Sequence, residues 1–517
     1  MLIQINAAKC IGIDAVKITV EVEIRPGIGI FLCGLADAAV KESLLRTTTA
    51  LESLGYKIPG KKITINLAPA DLHKVGSGYD LPIALGIIAA SGKKEFPSAG
   101  RFLVMGELGL DGEVRSIPGA LPCAEMAQKE GYRGIIMPVN SALEATEFKD
   151  LEIYGVRTLE DAIRVLSQDQ DCSDLLVWNL PEFIRMKDGA DADDGSDIPD
   201  FSDIIGQEGA KRALEIAAAG GHNAILIGSP GSGKSSLAKA LAGILPPMTR
   251  QEALVTSKIY SICGKNTRHN LISRRPFRSP HYSASMAAIV GGGGGDAIMP
   301  GEVSLAQNGV LFLDEFGQIP RSVIEALRGP MEDRKVTISR LRTKVEYPAS
   351  FMLVAASNPC PCGYWGEGDR CTCSPAQKLN YLGKLSGPIM DRIDLHIWMK
   401  AVSPSSIFTG RKSEGSAEVR ERVTRAREIQ KERFKGLNVN TNAEMNNKHI
   451  EQFCPLDEKC RITMLDIMSG MGFSMRAYFR IIKVARTIAD LENAVDIKPS
   501  HLMEAASFRF LDKDYSA

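Results

Sequence analysis

The 517-residue sequence carries no net charge, with 62 lysines and arginines against 62 aspartates and glutamates. A global field that would draw in nucleic acid or an anionic membrane is thereby excluded, and any such partner has to be met by local patches. No apolar run approaches the roughly 20 residues that cross a bilayer. "MLIQINAAKC" also lacks the basic start and apolar core of an export signal. Internal repeats are absent too. These absences lead to the expectation of a cytoplasmic chain with no membrane partner. In that compartment its eleven cysteines are free thiols, so a cluster of them points to metal or catalysis rather than disulfides.

What is present is α/β patterning, long enough for several domains. In residues 1–170, "AVKITVEVEI" and "KKITINLA" alternate as strands do, while "DAAVKESLLRTTTALESLGY" and "YDLPIALGIIAASG" place apolar residues at helical spacing. "TLEDAIRVLSQ" opens on a Thr cap. Residues 171–200 form the expected linker, whose acidic part "DGADADDGSDIPD" has no apolar periodicity. Residues 201–400 contain the buried-strand patterns "HNAILIG", "GVLFLDE" and "SFMLVAASN", near-continuous in apolar residues as parallel strands are. Residues 401–517 read as mostly helical, and "SAEVRERVTRAREIQKERF", charged nearly all round, predicts an exposed helix laced with ion pairs.

The stretch "GSPGSGKS", Gly228, Ser229, Pro230, Gly231, Ser232, Gly233, Lys234 and Ser235, matches G-x-x-x-x-G-K-[ST] between a predicted strand and a predicted helix that continues through Ser236. Its glycines let backbone N–H groups converge on phosphates at a helix N-terminus, Lys234 neutralises the outer phosphates, and the Ser235 hydroxyl is placed for Mg²⁺. The "LFLDE" strand ends in Asp314, suited to hold Mg²⁺ through water, and Glu315, suited to polarise the attacking water. The next buried strand ends at Asn358, which can orient that water. ATP and Mg²⁺ are therefore the expected cofactors.

This set resembles the AAA+ ATPases. "SGPIMDRIDL" is similar to the segment that carries an arginine finger in the chelatase and minichromosome-maintenance branches, here Arg392. "FSMRAYFRIIKVARTIADL" resembles the sensor-2 helix of the Mg-chelatase branch, with Arg476 in the sensing position and Arg480 and Arg486 competing on the same helix. A finger arginine reaching a neighbour's γ-phosphate implies a ring. "KVGSGYDLPIALGIIAA" and "VMGELGLDGEVRSIPGALPCAEMAQKEGYRGIIMP" resemble the Lon-protease C-terminal domain. Laid on that pattern, the Ser–Lys dyad falls on Gly78 and Pro122, with Ser77 one position off, so a scaffold without peptidase activity is expected.

A Lon-like domain followed by a chelatase-type AAA+ module is the arrangement of the ComM/YifB subfamily of the Mg-chelatase D/I family, which "RRPFRSPHYSAS" and "NPCPCGYWG" also resemble. The resemblance implies an α/β multidomain fold. Its parts are an N-terminal α+β domain like ribosomal S5 domain 2, a central AAA+ P-loop domain and a C-terminal helical lid. It also implies a hexameric ATPase acting on DNA as a branch-migration helicase in natural transformation. The alternative is the ATPase subunit of a chelatase that inserts Mg²⁺ into a porphyrin, but the Lon-like domain is foreign to that reading and no D-x-S-x-S motif is present.

Two basic segments are the DNA candidates. "MEDRKVTISRLRTKVEYP" reads as a β-hairpin offering Lys335, Arg340, Arg342 and Lys344 to phosphates, against the alternative of a solvent-facing hairpin. "RRPFRSPH" offers Arg274, Arg275 and Arg278 beside His281, ahead of a glycine run, against the alternative of a surface loop. Lastly, "CPCGYWGEGDRCTC" sets Cys360, Cys362, Cys371 and Cys373 directly after Asn358. Four thiolates hold tetrahedral Zn²⁺, although the C-x-C spacing is tighter than the usual C-x₂₋₄-C. A structural Zn²⁺, a thiol redox switch and a metal-free loop are the readings left open.

Overall fold

The structure is a computed structural model and describes residues 2–188, 198–266, 271–293, 298–339, 344–385, 389–400 and 414–512. Arg340, Arg342, residues 189–197 of the acidic stretch and residues 294–297 of the glycine run lie outside the described residues.

The N-terminal body is built on a seven-stranded sheet. Its order is Gly29–Cys33, Lys62–Ala68, Asp14–Arg25, Leu2–Ile11, Phe102–Val104, Gly134–Pro138, Glu152–Val156. Leu2–Ile11 and Asp14–Arg25 form a long antiparallel hairpin about Gly12, and from Phe102–Val104 onward the sheet is parallel. Helix Asp80–Ala90 is apolar on every side and buried along nearly its whole length, as its sequence requires. Each Leu or Ile there contributes about 1.5–3 kcal/mol by leaving water. Helix Leu159–Ser167 starts at the expected Thr158, which shares a capping box with Asp161.

The linker begins later than residue 171. Leu175, Val177 and Leu180 are buried in the N-terminal core, and Trp178 meets Phe183 edge-on at 5.3 Å. Three apolar anchors at short spacing hold the chain down to Asp188. At the far end, Asp200 already belongs to the ATPase core, since its carboxylate accepts from the Ser202 and Ser416 amides.

The second sheet has five parallel strands in the order Phe277–Arg278, Val310–Leu313, Met352–Ser357, Ala224–Gly228, Leu395–Met399. The three central strands are buried at every position, which is why their sequences are continuous rather than alternating. The hairpin expected from "KVTISR" and "TKVEY" is present as Lys335–Ser339 paired antiparallel with Lys344–Pro348.

The C-terminal residues are helical, as expected, and share one core with a face of the second sheet. Helix Ser416–Arg433 differs from the expectation of an all-round exposed helix. Val419, Val423, Ala426 and Gln430 form a buried stripe at spacings of four, three and four residues. Arg427 and Gln430 donate to the carbonyls of Ala218 and Ala219, satisfying the end of helix Glu208–Gly220. A stripe one residue wide is enough to dock a helix whose other faces are charged.

Candidate active site and cysteine centre

The strands Ala224–Gly228, Val310–Leu313 and Met352–Ser357 end side by side, with Ile227 opposite Ser357 and Leu313 opposite Ala355. Their carboxyl edge therefore gathers the glycine loop, Asp314, Glu315 and Asn358 in one place, where parallel sheets bind ligands. Gly231 and Gly233 have φ of 78° and 88°, which glycine alone adopts without strain, and helix Lys234–Ile244 starts directly from Gly233. Lys234 Nζ donates to the carbonyls of Gly228 at 2.6 Å and Ser229 at 2.9 Å, and to Asn358 Oδ1 at 3.3 Å. Burial lowers its pKa, partly countered by Asp314. Ser235 Oγ donates to Asp314 Oδ2 at 2.8 Å, so a hydroxyl and a carboxylate converge on one point. Glu315 is exposed beyond them, in the left-handed region at φ 49° and ψ 42°. Ser236 is exposed on the first turn of the helix.

Gln207 is a neighbour of the loop that sequence reasoning passed over. Its amide nitrogen reaches Ser232 O at 3.3 Å and Lys400 O at 2.6 Å, tying the loop to the segment after Leu395–Met399. Gly206 and Gln207 both have positive φ, a conformation that no motif in "IIGQEG" announces.

The arginines lie elsewhere. Arg392 precedes strand Leu395–Met399, and its carbonyl accepts from Asn223, which precedes the loop strand. Since Ala224 stands opposite Leu395, Arg392 sits at the amino edge of the sheet, roughly 15 Å or more from its own phosphate loop at 3.3 Å per residue. Its guanidinium pairs with Glu332. Arg476 pairs with Asp391 at the same edge, and its side chain is 77% exposed. Arg480 pairs with Asp394, whose other carboxylate oxygen is 3.2 Å from His222. Burial raises the Asp394 pKa, but Arg480, His222 and Lys483 override it and hold the carboxyl far below its usual range. Arg486 is buried on Asp490 and the carbonyls of Ala494 and Val495.

Two of the basic-loop candidates are paired within the fold. Arg275 is half-buried, paired with Glu252 at 3.1 Å and bonded to the carbonyls of Pro246 and Asn308. Arg278 pairs with Glu302 at 2.6 Å. Both guanidiniums brace the fold, because each meets a carboxylate that the linear sequence places 23 or 24 residues away. Arg274, Lys335 and Lys344 are exposed, the two lysines flanking Glu346 at 3.0 and 3.9 Å.

The four cysteines come together. Sγ of Cys360 lies 3.3 Å from Cys362 and 3.9 Å from Cys371, Cys362 is 3.7 Å from Cys371, and all four sulfurs fall within 4.8 Å of one another. Sulfurs about 2.3 Å from a tetrahedral Zn²⁺ stand about 3.8 Å apart, so the donor set fits that ion. The Cys362 amide donates to Cys373 Sγ at 3.4 Å. Burial pushes the Cys360 thiol up to about 12, while the Tyr364 amide brings Cys362 down to about 6. The loop is seated on the nucleotide site as well as following it in sequence. Gly363, at φ 86°, lies so close to Pro230 that a Cβ there would be 2.9 Å from Pro230 Cδ.

In the N-terminal body, Ser77 Oγ donates to Glu107, Pro122 is buried in helix Ala120–Lys129, and a side chain at Gly78 would stand 3.0 Å from Met105.

Residues 200–407 match the family described as Magnesium chelatase, subunit ChlI, and residues 413–509 its ChlI C-terminal part. The chain is 42% identical over 511 residues to the Uncharacterized protein YifB of Salmonella typhimurium, covering 98% of this chain and 97% of that one. It is 43% identical over 501 residues to the Competence protein ComM of Haemophilus influenzae, covering 96% of this chain and 95% of that one. The chain belongs to the ComM/YifB subfamily of the Mg-chelatase family. As a ComM/YifB member it is an ATPase of that type. Residues 20–141 match the family described as Subunit ChlI of Mg-chelatase. A stretch of 122 residues, 23% of this chain, is 36% identical to the Archaeal Lon protease of Halobacterium salinarum, 16% of whose length it covers. Among the described residues no helix is long and apolar enough to cross a membrane.

Proposed function

We propose that this chain is an ATP-driven motor on DNA, a branch-migration helicase working as a homo-hexameric ring in strand integration. The observation that carries the ring is the separation of Arg392 and Arg476 from their own phosphate loop by the height of the sheet. Their position at the amino edge, away from their own site, supports a site shared with the carboxyl edge of a neighbour. In that arrangement Ser235 and Asp314 hold Mg²⁺, which neutralises the phosphate oxygens when bound. Lys234 exchanges its loop carbonyls for phosphate oxygens. Glu315 takes the proton side of the attacking water, Asn358 orients it, and Arg392 of the adjacent subunit meets the charge that develops.

Cys360, Cys362, Cys371 and Cys373 hold a structural Zn²⁺ in this reading, supported by the tetrahedral spacing of their sulfurs. The DNA assignment is supported by the name of the Haemophilus relative, a competence protein, and by the exposed lysines of the hairpin. The N-terminal body, with Gly78 and Pro122 where a dyad would stand, has no peptidase role.

The test is ATP turnover by the full chain alone, with forked DNA and with protoporphyrin, alongside a gel assay of three-strand branch migration. Stimulation by forked DNA with ATP-dependent strand exchange is the expected result. Stimulation by protoporphyrin alone would transfer the chain to the chelatases.

A further inference from the structure

The N-terminal body touches the ATPase core along one continuous seam, and the seam ends on the hairpin. Helix Arg250–Ile262 of the core lies against helix Ala120–Lys129. Lys258, its side chain 5% exposed, donates to Asp14 Oδ1 at 2.8 Å and Glu125 Oε2 at 2.6 Å. Burial lowers the lysine's pKa, but the two carboxylates outweigh it and raise the value. One turn on, Ser261 Oγ donates to Glu144 at 2.6 Å and accepts from the Leu121 amide, while the Gly119 amide donates to the Ser261 carbonyl at 2.9 Å. Arg250 pairs with Glu147 at the other end. A buried cation with two carboxylates is costly to separate, so this seam is a fixed joint rather than a transient contact.

Beside Asp14, the turn at Gly12 is pressed on the return strand Lys344–Pro348. With φ 61°, Gly12 comes so near that a Cβ would be 2.8 Å from the Glu346 carbonyl oxygen and 3.5 Å from Val345. Tyr347, buried in the same strand, donates from its hydroxyl to the Ile298 carbonyl at 2.8 Å. The same helix Arg250–Ile262 is bound to the turn before the Asp314–Glu315 strand. Tyr260 donates to Leu305 O at 3.0 Å, and Asn308 donates to Thr256 Oγ at 3.1 Å.

We propose that the N-terminal body is the mount of the hairpin Lys335–Pro348, setting where its strands stand relative to the core, with Lys258 and Gly12 as the positioning residues. The helix that would bear a dyad lysine at position 122 bears the docking carboxylate Glu125 instead. The body without peptidase chemistry thus has a mechanical role, as a fixed reference against the return strand of a hairpin whose first strand packs on helix Arg328–Asp333 of the core. The consequence for DNA rests on the motor reading above, whereas the mounting itself does not.

The test is hydrogen exchange of the hairpin amides in the full chain without DNA, together with basal and DNA-stimulated ATP turnover. Lys258→Met and Gly12→Val are each expected to speed exchange at 335–339 and 344–347 by about tenfold, the signature of local opening. Basal turnover should stay within about twofold, since neither residue touches the phosphate loop. Lys258→Arg, which keeps the cation, should restore protection. Unchanged hairpin exchange in both variants, with the 14–25 strand still protected as a folding control, would overturn the mount. If exchange rises while DNA stimulation is absent even in the parent chain, the mount stands and the DNA reading fails. Should Gly12→Val not fold, Glu125→Gln gives the same reading from the other partner of Lys258.

Discussion

Lys234 spends its donors within its own site, on two loop carbonyls and on Asn358, and Glu315 is the exposed carboxylate beside it. Glu315 holds a left-handed backbone, a conformation that costs a non-glycine residue about 1 kcal/mol and that collects at functional sites. Glu315→Gln keeps the shape but removes the carboxylate proposed as the base. ATP should still bind, and turnover should fall by about 100-fold or more. Equilibrium binding of a nucleotide analogue beside phosphate release checks both parts, and near-parental turnover would end the assignment. Arg275 makes the opposite case. Arg275→Ala strips a half-buried guanidinium from Glu252, so thermal unfolding should show a loss of about 3 kcal/mol. DNA affinity of the folded fraction should not change. A weakened DNA complex with unchanged stability would restore Arg275 as a contact.

The cysteine loop is an element with little core of its own, held at one end by its sulfurs and at the other by Gly363 on Pro230. Metal binding can supply the folding energy that its glycines and prolines do not. Elemental analysis of protein purified without added metal should find about one zinc per chain. Cys371→Ser combined with Cys373→Ser should lose the zinc and most ATP turnover, because Pro230 and Asn358 lose their backing together. A zinc-free preparation with four titratable thiols and full turnover would reduce the cluster to a packing feature.

At the scale of the whole molecule, the joint between the two sheets contains a titrating group. Burial raises Glu144 to about 7, against the opposing hydrogen bonds from Ser261 and Asn266. Its folded pKa lies above the value near 4.3 of an unfolded glutamate, so the folded state holds the proton more tightly. Stability from this group is full below pH ~4.3, is lost as pH rises to about 7, and is flat above that. Melting temperatures of the full chain and of Glu144→Gln, taken across that window, should diverge as pH rises. The variant should be the more stable at pH 8, by on the order of 3 kcal/mol. Parallel profiles would place Glu144 in water.

The local features were legible in the sequence because each is set by residues close in the chain. The glycine loop, the buried strands flanking it, Thr158 as a cap, the hairpin and the four-cysteine cluster all follow from spacing over at most 20 residues. Gly78 and Pro122 were likewise enough to lead to the expectation of no dyad. What only the tertiary structure decided depends on partners far apart in sequence. Arg275 and Arg278 looked like a basic patch until Glu252 and Glu302 were brought to them. Helix Ser416–Arg433 looked exposed until its one-residue stripe found helix Glu208–Gly220. The placing of Arg392 at the edge opposite its own phosphate loop is a property of sheet register. The seating of Gly363 on Pro230 and of Gly12 on Glu346 is a matter of shape at positions with no side chain, on which composition and periodicity are silent.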